Sequence, residues 1–319
     1  MAPTPLAITP PGALDLTGEA ARLRRRLQRA GMAVLEAGGY EELMPPTLEY
    51  QETFLRAGGP SAADRLIRFP DRDGRILALR YDFTASLARV ATTTFAGSSG
   101  PLRLCYSGTV YRQEPERGGR PREILQVGAE LLGEAGLPAD IEIVRLTIAL
   151  LRAAGVQDFQ LNLGHVGVLA PGLAALPEAE RTEVRRWIDR KDRGSLGRAL
   201  VGRTGDAASL ATLPFVIGRR EVLRGAVSLA PAAARRGLVH VLALDAALSE
   251  DERSHVVYDL GEVRGLEYYT GVHFEAFIAG AGRAAGAGGR YDDLMARFGR
   301  PMAAVGVSLD LDTIAEVPR

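Results

Sequence analysis

The chain carries a single cysteine, Cys105, among its 319 residues. No disulfide can form within it, which fits a reducing compartment. Cys105 stands in the strand-like run RLCYSGTV and reads as a small buried thiol rather than a nucleophile. Lysine is nearly absent as well. Lys191 is the only one among 39 basic residues, so arginine is the default cation and a lone arginine says little. An excess of either charge is missing: 39 basic residues meet 39 acidic ones, which argues against a bulk polyanion such as DNA or tRNA as the main partner. The four histidines, His165, His240, His255 and His273, show no metal-ligand spacing, and no P-loop or Gly-x-Ser-x-Gly motif occurs, so neither metal nor cofactor is expected. No apolar run is long enough to span a bilayer. The opening segment MAPTPLAITPPGALDL lacks the basic region and apolar stretch of a secretory signal. These absences predict a soluble, cytoplasmic protein.

What is present is a globular composition, 46% apolar and 24% charged, with a length that suits two domains or one large domain carrying an insertion. Residues 1–14 are Pro-rich and read as a loose segment. Over 17–37, Leu23, Leu27, Ala30 and Val34 recur at helical spacing, with Thr17 as the N-cap and Gly38-Gly39 as the stop. RLIRFPDRDGRILALR reads as a hairpin around Asp73-Gly74. Helices are predicted over 82–93 and 138–154, and strands at DFQLNLGHV, SHVVYDLGEV, GLEYYTGVHFEAFIA and MAAVGVSLDL. Residues 171–235 are Ala-, Arg- and Leu-rich and read as a helical insertion between two parts of one core, 15–170 and 236–319. Strands that pair antiparallel, without a βαβ alternation, make the fold class α+β and exclude a doubly wound nucleotide fold. The glycines of GAGRAAGAGGRYDDL, 280–294, therefore read as a flexible hairpin loop and not as a dinucleotide fingerprint.

The stretch YRQEPERGGRPREILQVGAE, 111–130, sets Arg112, Arg117, Arg120 and Arg122 among Glu114, Glu116, Glu123 and Glu130. It joins two strand-like runs by a charged loop. A solvated hairpin whose charges pair weakly is one reading of it. A grip on an anionic ligand is the other. In a strand, Arg122, Gln126 and Glu130 share one face, an arrangement costly in a core and natural in a polar pocket.

These residues carry a resemblance. YRQEPERGGRPREILQVGAE is similar to the second signature motif of class II aminoacyl-tRNA synthetases in its histidyl form. VRGLEYYTGVHFE and GGRYDDL resemble that family's histidine-recognition segments, and GYEELMPPTLEY its first, dimer-forming motif. Together they cover about 15–315. The resemblance implies a largely antiparallel sheet flanked by helices and a histidine pocket formed by Asp82, Thr84, Arg112, Gln126, Glu130, Arg264, Tyr268, Tyr269 and Tyr291. It places the ligand amine near Asp82, Thr84 and Gln126, the imidazole against Glu130 and the phenols, and the carboxylate on arginines. In LRYDFT, Asp82 takes a slot that is Glu in the synthetases and resembles the version in the synthetase-like regulatory subunits of ATP phosphoribosyltransferase.

The third motif departs further. In AVGVSLDLDTI, Thr313 stands where the family has its ATP-holding arginine, and Asp310 where it has a glycine. Losing a charge-assisted phosphate contact forfeits about 1.5–3 kcal/mol. A magnesium ion on Asp310 and Asp312 would reverse the repulsion that Asp310 adds. On this reading no anticodon-binding domain like that of the synthetases is expected. The expected reading is a non-catalytic, histidine-sensing regulatory subunit that forms dimers through 39–50 and associates with a short ATP phosphoribosyltransferase catalytic chain. On it, L-histidine is the effector, tRNA plays no part, and Arg112 still orients a carboxylate or small phosphate. The mobile elements would be 261–271 and 280–288. A truncated enzyme that activates histidine with ATP, and a free-standing amino-acid sensor, are the alternatives.

Overall fold

A computed structural model describes residues 9–113, 121–263 and 268–317. The chain runs α1 (Gly18–Ala37), β1 (Glu41–Glu42), β2 (Leu48–Tyr50), α2 (Gln51–Gly58), β3 (Arg68–Pro70), β4 (Ile76–Leu79), α3 (Thr84–Thr92), β5 (Leu102–Tyr111), β6 (Glu123–Leu132), α4 (Leu137–Ala153) and β7 (Phe159–His165). It continues through α5 (Val166–Ala174), α6 (Glu178–Asp189), α7 (Arg193–Ala199), α8 (Gly205–Ser209), β8 (Ile217–Gly218), α9 (Arg220–Leu229), α10 (Ala232–Ala247) and α11 (Glu250–Ser254). It ends with β9 (Val256–Asp259), β10 (Val272–Ile278), β11 (Gly286–Arg290), α12 (Asp293–Arg297), β12 (Ala304–Asp310) and α13 (Leu311–Ala315). Nine strands form one sheet in the order β1-β5-β6-β12-β11-β10-β7-β9-β8, and β2, β4 and β3 form a small antiparallel sheet. Among the described residues, only the β1–β5 and β7–β9 pairs are parallel. The architecture is α+β, and no helix among the described residues is long and apolar enough to cross a membrane.

The two faces of β6 explain the layering. Leu125, Val127, Ala129 and Leu131 point into a large apolar cluster with Leu27 and Leu35 of α1 and Ile143, Val144 and Leu151 of α4. The centre of the α1 stripe is Leu27, Gly31 and Leu35, one position from the expected Ala30 and Val34. Gly31 is forced by proximity: a Cβ there would stand 3.1 Å from both Val127 methyls. The opposite face of β6 carries Ile124, Gln126, Gly128, Glu130 and Leu132, facing a second cluster built on Phe83, Leu87, Tyr106 and Tyr291.

Helices extend from Val166 to Ser254, further on both sides than the 171–235 reading. Pro171 looks like a boundary in sequence but lies inside α5. This region shares the main core: Leu169, Val184, Ile188, Leu238 and Val241 join the cluster that holds Ile143 and Leu161. Its short strand β8 also completes the sheet edge beside β9.

The glycine-rich stretch corrects the sequence reading. Residues 286–290 form β11, a central strand between β10 and β12, and not a flexible loop. Glycine suits it because its neighbours occupy the Cβ positions. A side chain on Gly288 would meet the Phe274 ring at 2.5 Å and the Gly306 carbonyl at 2.6 Å. Tertiary space overrides a poor strand propensity.

One buried polar contact fixes β11 to the helical layer. Asp140, in the first turn of α4, accepts a bond from Arg290 Nε at 2.8 Å and approaches His240 Nε2 of α10 at 2.7 Å. Arg290 also donates to Asp292 and to the Gly136 carbonyl. His165 sits 5.2 Å from the His240 ring. Desolvation lowers its pKa to about 4, leaving it neutral. Removing one member of such a buried pair strands the other charge. Asp140→Ala is therefore expected to cost about 3–5 kcal/mol, measured by urea unfolding. The exposed pair Glu183–Arg186 should matter by less than about 1 kcal/mol in Glu183→Ala.

Candidate functional site

The site grows from the polar face of β6. Register places Glu130 opposite Gly306, Gly306 opposite Gly289, and Gly289 opposite His273. Two bare strand positions thus separate Glu130 from His273. A Cβ on Gly306 would fall onto Glu130 Oε2, so glycine is the residue that lets this carboxylate lie over the sheet.

Glu130 is 2% exposed, yet both of its oxygens are bonded. Thr84, the first residue of α3, donates its hydroxyl to Oε1 at 2.7 Å. Tyr291 donates its phenol to Oε2. Burial pushes the Glu130 pKa up to about 7; the bonds from Tyr291 and Thr84 oppose that rise, and the charge of Asp82 adds to it. Tyr268 stacks on Tyr291 with centroids 5.2 Å apart and meets Tyr269 edge-on at 5.2 Å. Tyr269 in turn lies parallel to the buried His273 ring at 5.7 Å. Desolvation, reinforced by the Glu130 charge, raises all three phenols, so they remain protonated hydrogen-bonding groups. The result is a cluster of one carboxylate and three phenols packed over bare glycine positions.

Asp82 lies at the mouth of α3, where its Oδ1 accepts from Ala85 N at 3.0 Å. Burial raises its pKa, while bonds from Ala85 and Tyr81 and the charges of Arg112 and Arg65 pull the other way. Arg112, just past the end of β5, donates from Nε to the Tyr81 carbonyl at 3.3 Å. Gln126 lies on the Glu130 face of β6 opposite Asp310 and is 6% exposed. The structure thus brings together Thr84, Glu130, Tyr268, Tyr269 and Tyr291, with Asp82, Arg112 and Gln126 along the same side. Arg264, Arg117 and Arg120 lie outside the described residues.

At the third motif, Asp310, Asp312 and Thr313 each have a local partner. Asp310 caps α13, accepting from Asp312 N and Thr313 N at 3.0 and 2.9 Å. Asp312 is held by Arg24 at 2.9 Å and by Leu125 N at 2.7 Å. Thr313 is fully buried and accepts from Arg283 Nε at 2.7 Å, and Arg283 also pairs with Glu316 at 2.8 Å. Among the described residues no group of three His, Cys, Asp or Glu side chains could hold a metal. Cys105 is buried, its thiol pushed up to about 12 by desolvation.

Sequence reasoning missed His273 as a neighbour of the pocket tyrosines and Arg283 as the partner of Thr313. The only signal for His273 was its alternation with Phe274 along a strand. Nothing in a glycine-rich stretch marked Arg283.

The geometry agrees with three comparisons. The sequence model of the family described as Histidyl-tRNA synthetase matches residues 12–314. A protein of Syntrophotalea carbinolica named ATP phosphoribosyltransferase regulatory subunit is 37% identical over 96% of this chain and 74% of its own length. One of the same name from Geobacter sulfurreducens is 36% identical over 97% of this chain and 72% of its own. Among solved structures, an ATP phosphoribosyltransferase regulatory subunit/histidyl-tRNA synthetase from Bacillus halodurans superposes with a TM-score of 0.88 at 31% identity, covering 98% of this chain and 83% of that one. Histidyl-tRNA synthetase from Nostoc, at 20% identity, shares the fold with a TM-score of 0.78 over 97% of this chain and 74% of that one. With a class II synthetase-like sheet, a carboxylate–phenol cluster and relatives of that name along almost its whole length, the chain belongs to the histidyl-tRNA synthetase-like family of ATP phosphoribosyltransferase regulatory subunits.

Proposed function

We propose that this chain is the non-catalytic regulatory subunit of a short ATP phosphoribosyltransferase catalytic chain, and that the Glu130 chamber senses L-histidine for feedback inhibition. The observation that carries the reading is the pairing of Glu130 with Thr84 and Tyr291 beside two further phenols. An imidazole offers one N–H donor and one acceptor nitrogen, and this chamber offers a carboxylate acceptor and phenol donors. Asp82, Thr84 and Gln126 supply acceptors for the ligand amine. Arg112, with Arg264, supplies charge for its carboxylate. A site of this kind rejects amino acids that leave its buried groups unpaired.

The neighbouring nucleotide position supports the non-catalytic half of the proposal. Where the family needs a cation, Thr313 is sealed under Arg283, and Arg283 is already neutralised by Glu316. The carboxylate of Asp310 stays at the mouth of α13. Neither tRNA nor a metal enters this reading, and the protein acts in the cytoplasm. Dimers form through 39–50, where the short edge strand β1 is followed by Met44 and Leu48, both exposed. Inhibition requires that histidine favour one arrangement of the complex over another, a coupling typically of about 1–3 kcal/mol. Retained Arg112 favours the rival reading, an enzyme that activates histidine with ATP. Histidine-dependent exchange between pyrophosphate and ATP would establish that rival and reject the regulatory one.

Two outcomes are expected at Glu130. In calorimetric titration the protein should bind histidine, and Glu130→Ala should abolish or weaken binding at least tenfold; unchanged binding would mean the pocket lies elsewhere. The second concerns stability. The Glu130 carboxyl rises from 4.5 to about 7 on folding, so the folded state holds this proton more tightly than the unfolded one. Its stabilising contribution is complete below about pH 4.5 and lost as pH rises through about 7, a swing on the order of 3 kcal/mol. Glu130→Gln should therefore gain stability relative to the parent between pH 5 and pH 8 in urea unfolding, while losing histidine affinity.

A further inference from the structure

We propose that Lys191 is a positioning residue for the effector pocket: its ammonium clamps the root of the tyrosine-bearing segment to the helical region and so sets the affinity for histidine. The proposal rests on the histidine reading above and adds to it a residue from a distant part of the chain.

Three observations converge on Lys191. It is the only lysine in a chain that otherwise uses arginine for every cation. It is also the only non-glycine residue with positive φ among the described residues, at 53°. Its backbone closes α6 in a Schellman arrangement, with Lys191 N bonded to Ile188 O at 3.0 Å and Asp192 N to Trp187 O at 2.8 Å. Glycine is the usual residue at that position, because a Cβ there is strained. A chain with 37 glycines uses lysine here, which points to a task for the side chain.

That task is visible. Lys191 Nζ donates to Asp259 Oδ1 at 2.7 Å and to the Pro214 carbonyl at 3.2 Å. The same Asp259 oxygen accepts from Gly261 N at 2.8 Å, and Leu260 N donates to Val216 O at 3.1 Å. A Cβ on Gly261 would stand 2.5 Å from Nζ and would fall onto the Pro214 carbonyl oxygen. The niche therefore takes a compact ammonium. A planar guanidinium, wider and with a fixed fork, matches this niche less well. Residues 259–261 are held from below as well. A Cβ on Gly164 would meet the Asp259 carbonyl at 2.9 Å and His273 Nε2 at 3.0 Å, so Asp259 and the His273 ring crowd over the same bare strand position. His273 lies parallel to Tyr269, and Tyr269 belongs to the chamber. Lys191, Asp259, His273 and Tyr269 thus form a contiguous path from the helical region to the ligand site. The chain leaves this clamp a few residues before Tyr268 and Tyr269.

The test uses the full chain with Lys191→Gly and Lys191→Arg. Lys191→Gly relieves the backbone strain but strips the buried Asp259 carboxylate of its cation, so a lower urea midpoint is expected whichever role holds, and affinity and exchange carry the test. Histidine affinity, by calorimetry, should fall about tenfold in Lys191→Gly, and Lys191→Arg should fail to restore it. Amide hydrogen exchange supplies a readout that does not depend on histidine. Exchange at Leu260, Gly261, Glu262 and Tyr268–Thr270 should rise in Lys191→Gly, with α6 and α7 unchanged. Unchanged exchange at those amides overturns the clamp, whether or not the parent binds histidine. Raised exchange with histidine affinity within twofold of the parent overturns the positioning role. A parent that binds no histidine rejects the functional reading instead, and the exchange result still decides the clamp.

Discussion

The Glu130 carboxylate, laid over Gly306 in the middle of the sheet, is the constraint from which the rest of the site follows. A buried carboxylate is costly unless its oxygens are bonded. Thr84 and Tyr291 supply those bonds, one from the start of α3 and one from beyond β11. Bonding both requires that α3 and the β11–α12 connection converge on one strand. The glycines of β11 and β12 permit that approach, and the Arg290–Asp140 contact holds β11 in place from the other face. The carboxylate is the group on which Thr84 and Tyr291 meet, and Arg300 adds a second tie through the Ala91 carbonyl at the end of α3.

The neighbouring region shows the reverse arrangement. Third-motif side chains that would face a nucleotide are instead consumed by local structure: Asp310 by a helix cap, Asp312 by α1 and β6, and Thr313 by Arg283. Thr84 and Tyr291 direct their hydroxyls at Glu130, whereas Asp310, Asp312 and Thr313 are bonded within their own surroundings. On the proposed reading this asymmetry is permitted, because binding alone requires no stabilised transition state.

Much of the fold was legible because its elements announce themselves locally. The α1 stripe, the Asp73-Gly74 hairpin and the alternation in β6 and β10 follow from periodicity and turn chemistry. The shared face of Gln126 and Glu130 follows from strand geometry. Where the reading failed, distant neighbours decided. Residues 286–290 are a strand because Phe274 and Leu309 fill the space beside them, a fact with no local trace. Pro171 resembles a helix end and is a helix interior.

The sequence by itself determined which chemical groups the site contains and that strands would carry them, since residue identity and period are local properties. It also placed a threonine at 313, where the resemblance implies an arginine. Only the tertiary structure decided that Tyr268, Tyr269 and Tyr291 gather around Glu130 and that His273 and Lys191 belong to the same neighbourhood. It likewise decided that three widely separated histidines and aspartates, His165, His240 and Asp140, meet behind the sheet. Such encounters join residues dozens to more than a hundred positions apart. Their energy comes from desolvation and packing across the sheet, which no short window of sequence contains.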